Sequence, residues 1–165
     1  MAIWYDIVPH ESVVGLTCDD TYLYLMTTQR ANGLPEHAER GHFVKWHPSR
    51  GVLDQLELDG YVPNWGVCAA AEGAYLVCGN MLYHYSSSRK ALQPVAELPE
   101  AFRYLLRLND GGLLVFGQHT AWTLDHAGHI LTRCSALPGT VNGAAQASNG
   151  TVYVACGSHL YHLSL

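Results

Sequence analysis

Residues Gly150–Leu165 read GTVYVACGSHLYHLSL, and the same pattern stands further up the chain. Moving Tyr153, Cys156, Gly157, Leu160, Tyr161 and His162 back by 78 positions reaches Tyr75, Cys78, Gly79, Leu82, Tyr83 and His84. Thus AYLVCGNMLYHY (Ala74–Tyr85) and VYVACGSHLYHL (Val152–Leu163) align without a gap. Half that offset, 39, carries Tyr83 onto Trp122 and Leu92 onto Leu131, within LLVFGQHTAWTLDHAGHIL (113–131). The same step backwards carries Met81–Leu92 onto His42–Leu53, HFVKWHPSRGVL, where Val44 and Trp46 replace Tyr83 and Tyr85. The repeat is fourfold. Periods of about 40 residues, made of short apolar strands separated by turn residues, are the pattern of β-propeller blades.

The expected architecture is therefore all-β: a small four-bladed propeller forming a single domain over 1–165, with blades at roughly 12–59, 60–99, 100–138 and 139–165 plus 1–9. Each blade needs four strands. The innermost strands are predicted at Val13–Thr17, Trp65–Ala70, Tyr104–Leu108 and Gly143–Ala147, each joined to a second strand by a turn such as Asn109-Asp110-Gly111-Gly112 or Ser148-Asn149-Gly150. Asp-Gly and Asn-Gly are strong hairpin signals, because both favour backbone with positive φ. The last repeat supplies only three strands, while AIWYDIV near the N-terminus is a strand with no partner ahead of it. Ile3–Val8 is expected to complete the last blade and so remove two sheet edges at once. No helix of useful length is predicted.

One repeat breaks the period. Between its second and third strands the first blade carries Thr27–Gly41, TTQRANGLPEHAERG, where the others have a short turn. Per-repeat insertions fall on one face of a repeat protein, often the binding face. In propeller topology that face is shared with the loops that run from each outer strand into the next blade, and these hold Tyr61, Trp65, Phe102, Arg103 and Tyr104. Aromatic residues and Arg dominate binding hot spots. The expected partner-binding set is Arg30, Glu36, His37, Glu39, Arg40, Tyr61, Trp65, Phe102 and Arg103, with Trp65 and Tyr104 equally open to burial between blades.

Motifs for chemistry are thin. His126-x-x-His129 and His159-x-x-His162 place their two rings on opposite sides of a strand, and neither CxxC nor HExxH occurs, so no metal and no cofactor is expected. No serine lies in a GxSxG elbow, and Cys78 and Cys156 hold equivalent repeat positions, which reads as core filling rather than activation. The carboxylates Glu11, Glu36, Glu39 and Glu100 can share one face. With a net charge of −5 and nine Lys and Arg, the chain is a poor match for nucleic acid, which demands clustered cations; a basic protein partner suits it better. Five cysteines, an odd number, and an N-terminus without basic residues point to a reducing, cytoplasmic setting, and no apolar run is long enough for a membrane helix.

GTVYVACGSHLYHLS and GGLLVFGQHTAWTLDHAGHIL resemble the repeats of quinoprotein-like propellers, and the double glycine is similar to that of kelch repeats. By type, a small acidic propeller with one decorated face also resembles the immunity proteins that accompany secreted bacterial toxins. That resemblance implies a non-catalytic protein that occludes the active site of a toxin or other enzyme. Two alternatives stand beside it. One is a small-molecule binder or hydrolase using the central channel near Asn64, Arg103, Arg107, Asn142 and Gln146. The other is half of a larger ring made by two chains, so that both monomer and homodimer are open.

Overall fold

The structure, a computed structural model, describes residues 7–29, 40–60, 62, 65–100, 102, 104–117, 120–125, 127–134 and 137–163. Fifteen antiparallel strands build four separate sheets, and no α-helix occurs among the described residues. Blade 1 is β1 (Ser12–Cys18), β2 (Leu23–Thr28), β3 (Arg40–His47) and β4 (Gly51–Asp59). Blade 2 is β5 (Val67–Ala70), β6 (Gly73–Cys78), β7 (Met81–Ser86) and β8 (Ala91–Glu97). Blade 3 is β9 (Tyr104–Arg107), β10 (Leu113–Phe116), β11 (Ala121–Leu124) and β12 (Ile130–Cys134). Blade 4 is β13 (Val141–Gln146), β14 (Val152–Cys156) and β15 (His159–Leu163). Within every sheet the strands follow chain order, and β1, β5, β9 and β13 pack side by side in succession. This is the four-bladed β-propeller expected from the repeat.

The repeat is visible in the backbone as well as in the letters. Gly79 and Gly157 close equivalent turns with φ of 61° and 58°, a left-handed conformation that costs a side chain about 1–2 kcal/mol. At Gly73, φ is 142° and a Cβ would collide with the carbonyl oxygen of Tyr85 on the neighbouring strand. Register matches too: Tyr75 opposes His84 in blade 2, and Tyr153 opposes His162 in blade 4.

Apolar residues on both faces of the blades make the core. Between blades 1 and 2 lie Tyr24, Met26, Phe43 and Leu58 against Leu76, Cys78 and Tyr85. Between blades 2 and 3 lie Val77, Leu82 and Leu98 against Phe102, Val115 and Trp122. Between blades 3 and 4 lie Leu114, Phe116 and Leu137 against Val152, Val154 and Cys156. A fourth cluster covers the outward face of blade 1, where Val8 packs on Leu25, Val44 and Trp46. Leu58, Leu98 and Leu137 each close an outer strand, or follow one, and lean on the next blade; Val8 does the same to blade 1. The predicted strand Ile3–Val8 lies outside the described residues up to Asp6, and Ile7 and Val8 themselves are not in a strand.

Some boundaries differ from the sequence expectation. Trp65 sits in a turn ahead of β5 rather than on an inner strand, with φ of 61°. The insertion is shorter than its sequence suggests, since Thr27 and Thr28 extend β2 and Arg40 and Gly41 open β3 with paired backbone.

Candidate functional site

One end of the propeller gathers the loops from each outer strand into the next blade, together with the ends of β2 and β3. Hydrogen bonds show that these segments meet. Glu11, from the loop entering blade 1, accepts a 2.5 Å bond from the Thr27 hydroxyl on β2 and lies 3.0 Å (Oε1) and 3.1 Å (Oε2) from Nδ1 of His42 on β3. The Glu11 side chain is only 3% exposed, and that of His42 is 24% exposed. A buried carboxylate is tolerated only when its oxygens are bonded, and here both are. Blade 3 repeats the device: the buried Thr120 hydroxyl donates to Glu100, which enters from the corresponding loop. His42, Met81 and Thr120 are related by steps of 39, so the first and third of these repeat mates, at or beside the start of the third strand, each meet a carboxylate.

Trp65 stands at this end as well. Its amide donates to the Val14 carbonyl of β1 at 3.0 Å, and its carbonyl accepts from the Leu105 amide of β9 at 3.3 Å. The turn is thus pinned between two inner strands while the indole remains 52% exposed. A bulky residue at φ 61° is uncommon and persists only where its surroundings dictate it. His10, with φ of 65°, is a second case beside Glu11. Arg40 lies on the rim, exposed, 3.5 Å from the carboxylate of Glu57.

Of the expected partner-binding residues, the structure brings Trp65 and Arg40 to this end. Phe102 is corrected: it is 0% exposed, packs edge-on against Trp122 at 4.9 Å between ring centres, and is part of the core between blades 2 and 3. Its loop carries it inwards because an aromatic ring gains more by filling the space between blades than by facing water. Tyr104 is likewise an inter-blade residue, its hydroxyl donating to the Ala144 carbonyl at 3.1 Å. Arg30, Glu36, His37, Glu39, Tyr61 and Arg103 lie outside the described residues.

The channel residues proposed for small-molecule chemistry are partly engaged elsewhere. Gln146 accepts the Asn109 amide at 2.6 Å and donates to the Gly150 carbonyl at 2.9 Å, tying blade 3 to the turn of blade 4. Asn142 donates to the Gly157 carbonyl at 3.5 Å, Arg107 is exposed, and Asn64 lies outside the described residues. A shallow cavity of about 250 Å³ opens at the opposite end, beside Asp110, Thr123, Asp125 and Leu131. Its carboxylates serve their own turns: Asp110 caps Gly112, and Asp125 caps Ala127 and His129. Among the described residues, no three His, Cys, Asp or Glu side chains converge as a metal site.

No family model matches this sequence, and no curated protein does. Solved structures do match in shape. Glutaminyl cyclase of Myxococcus xanthus superposes with a TM-score of 0.60 at 18% identity, over 95% of this chain and 76% of its own. The Dos1 propeller gives 0.62 at 14% identity, over 94% of this chain. BamB of Moraxella catarrhalis gives 0.62 at 15%, over 92% of this chain. This chain spans only 45% and 44% of the latter two. At such identities the likeness is one of fold, shared by an enzyme and by proteins of other kinds, and what it establishes is the β-propeller.

Proposed function

We propose that this chain is a non-catalytic protein-binding module whose ligand face is the end bearing Trp65, Arg40 and the Thr27–Gly41 insertion. The observation that carries the reading is Trp65: a half-exposed indole on a turn fixed by two inter-blade hydrogen bonds. A rigid exposed aromatic loses little entropy on binding, which is why such residues anchor interfaces. Net charge favours a basic partner. Its most specific form is an inhibitor that covers the active site of a toxin or another enzyme with the insertion. The test is capture of a stoichiometric partner by the full chain, compared with Trp65→Asn and with a chain whose residues 30–39 are replaced by Gly-Asn. Loss of the partner in both variants supports the module; equal retention by both overturns it.

One observation favours a second reading, in which the same end binds or hydrolyses a small molecule. Glu11 lies 3.0 Å from Nδ1 of His42, a carboxylate–histidine pair of the kind that orients an imidazole for acid–base work. Hydrolysis of an ester or lactone panel by the full chain, abolished in His42→Gln, would replace the binding-module reading with this one.

A further inference from the structure

The two ends of the propeller differ in charge. Among the described residues, the end that carries Trp65 holds Glu11, Glu57, Asp59, Glu97 and Glu100 against one guanidinium, that of Arg40, which is itself 3.5 Å from the Glu57 carboxylate. Glu57 and Glu97 stand opposite His42 and Met81 in register, where third strands open. Arg133, one position further in, lies over the Trp122 ring at 5.9 Å. The opposite end carries Lys45, Arg50, Arg89, Lys90 and Arg107, which nearly offset the aspartates and Glu72 of its turns. Residues 30–39 and 103 lie outside the described residues and bring Arg30 and Arg103 against Glu36 and Glu39, so they leave the difference as it stands. Most of the net charge of −5 therefore belongs to the Trp65 end.

Trp65 stands between these carboxylates. Its turn enters blade 2, and the segments that enter blades 1 and 3 on either side carry Glu11 and Glu100. The Trp65 amide is bonded to Val14, just beyond Glu11 in the chain, and its carbonyl to Leu105, just beyond Glu100. Both carboxylates accept hydroxyl bonds, from Thr27 and Thr120, which satisfy oxygens without cancelling charge. Glu97 accepts the Asn80 side-chain amide on the same terms. The indole, 52% exposed, thus offers its ring in a field that its neighbours make negative. An aromatic face draws cations through its own quadrupole, most strongly for Trp. Anionic surroundings add to that pull and oppose an acidic group.

We infer that the partner of this face is a basic polypeptide segment that seats an arginine side chain on the Trp65 indole, with the surrounding carboxylates balancing its neighbouring cations. The inference rests on the protein-binding reading above and adds the chemical group that the anchor takes. Arginine suits the site better than lysine, since its guanidinium is planar, stacks on an aromatic ring and is more weakly hydrated. Seating it costs the protein little, because the turn is already held by its two inter-blade bonds.

The test is calorimetric titration of the full chain with an oligoarginine peptide and with its citrulline counterpart, which keeps the shape and removes the charge. Expected is binding of the arginine peptide alone, weaker in added salt and about fivefold weaker in Trp65→Asn, whose side chain tolerates the left-handed backbone. Substitutions with the same change of charge separate the ends. Glu97→Gln, which keeps an acceptor for Asn80, lowers affinity about twofold, and Asp20→Asn, exposed at the other end, leaves it unchanged. No binding of the arginine peptide overturns the inference, as does arginine binding that Trp65→Asn leaves intact. Equal binding of both peptides, lost in Trp65→Asn, also overturns the cation but keeps the binding module. The module itself is read separately, from partner capture by the full chain and its variants.

Discussion

Nδ1 of His42 lies 3.0 Å from Oε1 of Glu11, and this contact ties the loop entering blade 1 to its third strand. Because the Thr27 hydroxyl shares the same carboxylate, three segments depend on one side chain that is almost wholly out of water. Glu11→Ala leaves the His42 ring nitrogen without its carboxylate and the Thr27 hydroxyl with only the His42 carbonyl at 3.3 Å, and is expected to cost about 1–3 kcal/mol. Glu11→Gln keeps an acceptor for Thr27 and loses less. Urea unfolding of both variants checks the order; an equal, negligible effect would show that the carboxylate has no part in holding this end together.

Phe102 and Trp65 are both aromatic and both precede inner strands, yet they are expected to respond in opposite ways. Phe102→Ala empties a site closed on all sides by Leu98, Leu105 and Trp122, at a cost of about 3–5 kcal/mol. Trp65→Asn keeps a residue that tolerates left-handed backbone and removes an indole already half in water, so stability shifts by about 0.5 kcal/mol or less. Partner capture should fall with Trp65→Asn alone once the folded fraction is accounted for. A large melting shift for Trp65→Asn would place the indole in the core.

The contrast marks how far the sequence could be read. Repeats at 39 and 78 positions pointed to four blades, since Tyr75 and Tyr153, or Tyr83 and Trp122, recur wherever a strand recurs. The same recurrence could not tell Phe102 from Trp65, because both lie in loops where periodicity ends and burial is decided by the adjoining blade. Burial of Glu11 was equally hidden: its partners Thr27 and His42 are 16 and 31 positions away. A signal for it did exist. His42 and Thr120 are repeat mates, and Glu11 and Glu100 stand two and one positions after a proline at the entrance to a blade, so the carboxylate contact recurs with the repeat.

Burial pushes the Cys68 thiol up to about 12 and raises that of Cys156, while Cys18 is exposed. Since the thiolate is the reacting form, these environments set reactivity. In the native protein at pH 8, Cys18 is expected to react with a disulfide reagent at least ten times faster than Cys68, Cys78 or Cys156; full denaturation releases all five. Rapid labelling of Cys68 in the native state would mean that blades 2 and 3 separate readily.

Asp19 and Tyr24 give the protein a pH dependence of known sign. Burial alone would raise Asp19, but amide bonds from Thr21 and Tyr22 and the Tyr24 hydroxyl, each at 2.7 Å, with the Lys45 ammonium nearby, outweigh it and hold the carboxyl below 3.8. The folded chain thus binds this proton less readily than the unfolded one. Its contribution is present above pH 3.8 and is lost as pH falls through the lower folded value. Tyr24 runs the other way: burial, then its bond to Asp19, raises the phenol from 10.0 to about 12. That contribution is present below pH 10 and disappears as pH climbs towards 12. Tyr24→Phe removes the hydroxyl from both ends of the profile. It is expected to cost about 1–2 kcal/mol at neutral pH, to weaken the acid-side loss by relaxing Asp19 towards its ordinary value, and to delete one late phenolate step from an ultraviolet titration. If the variant keeps the wild-type acid midpoint, Asp19 is held down by its backbone amides alone.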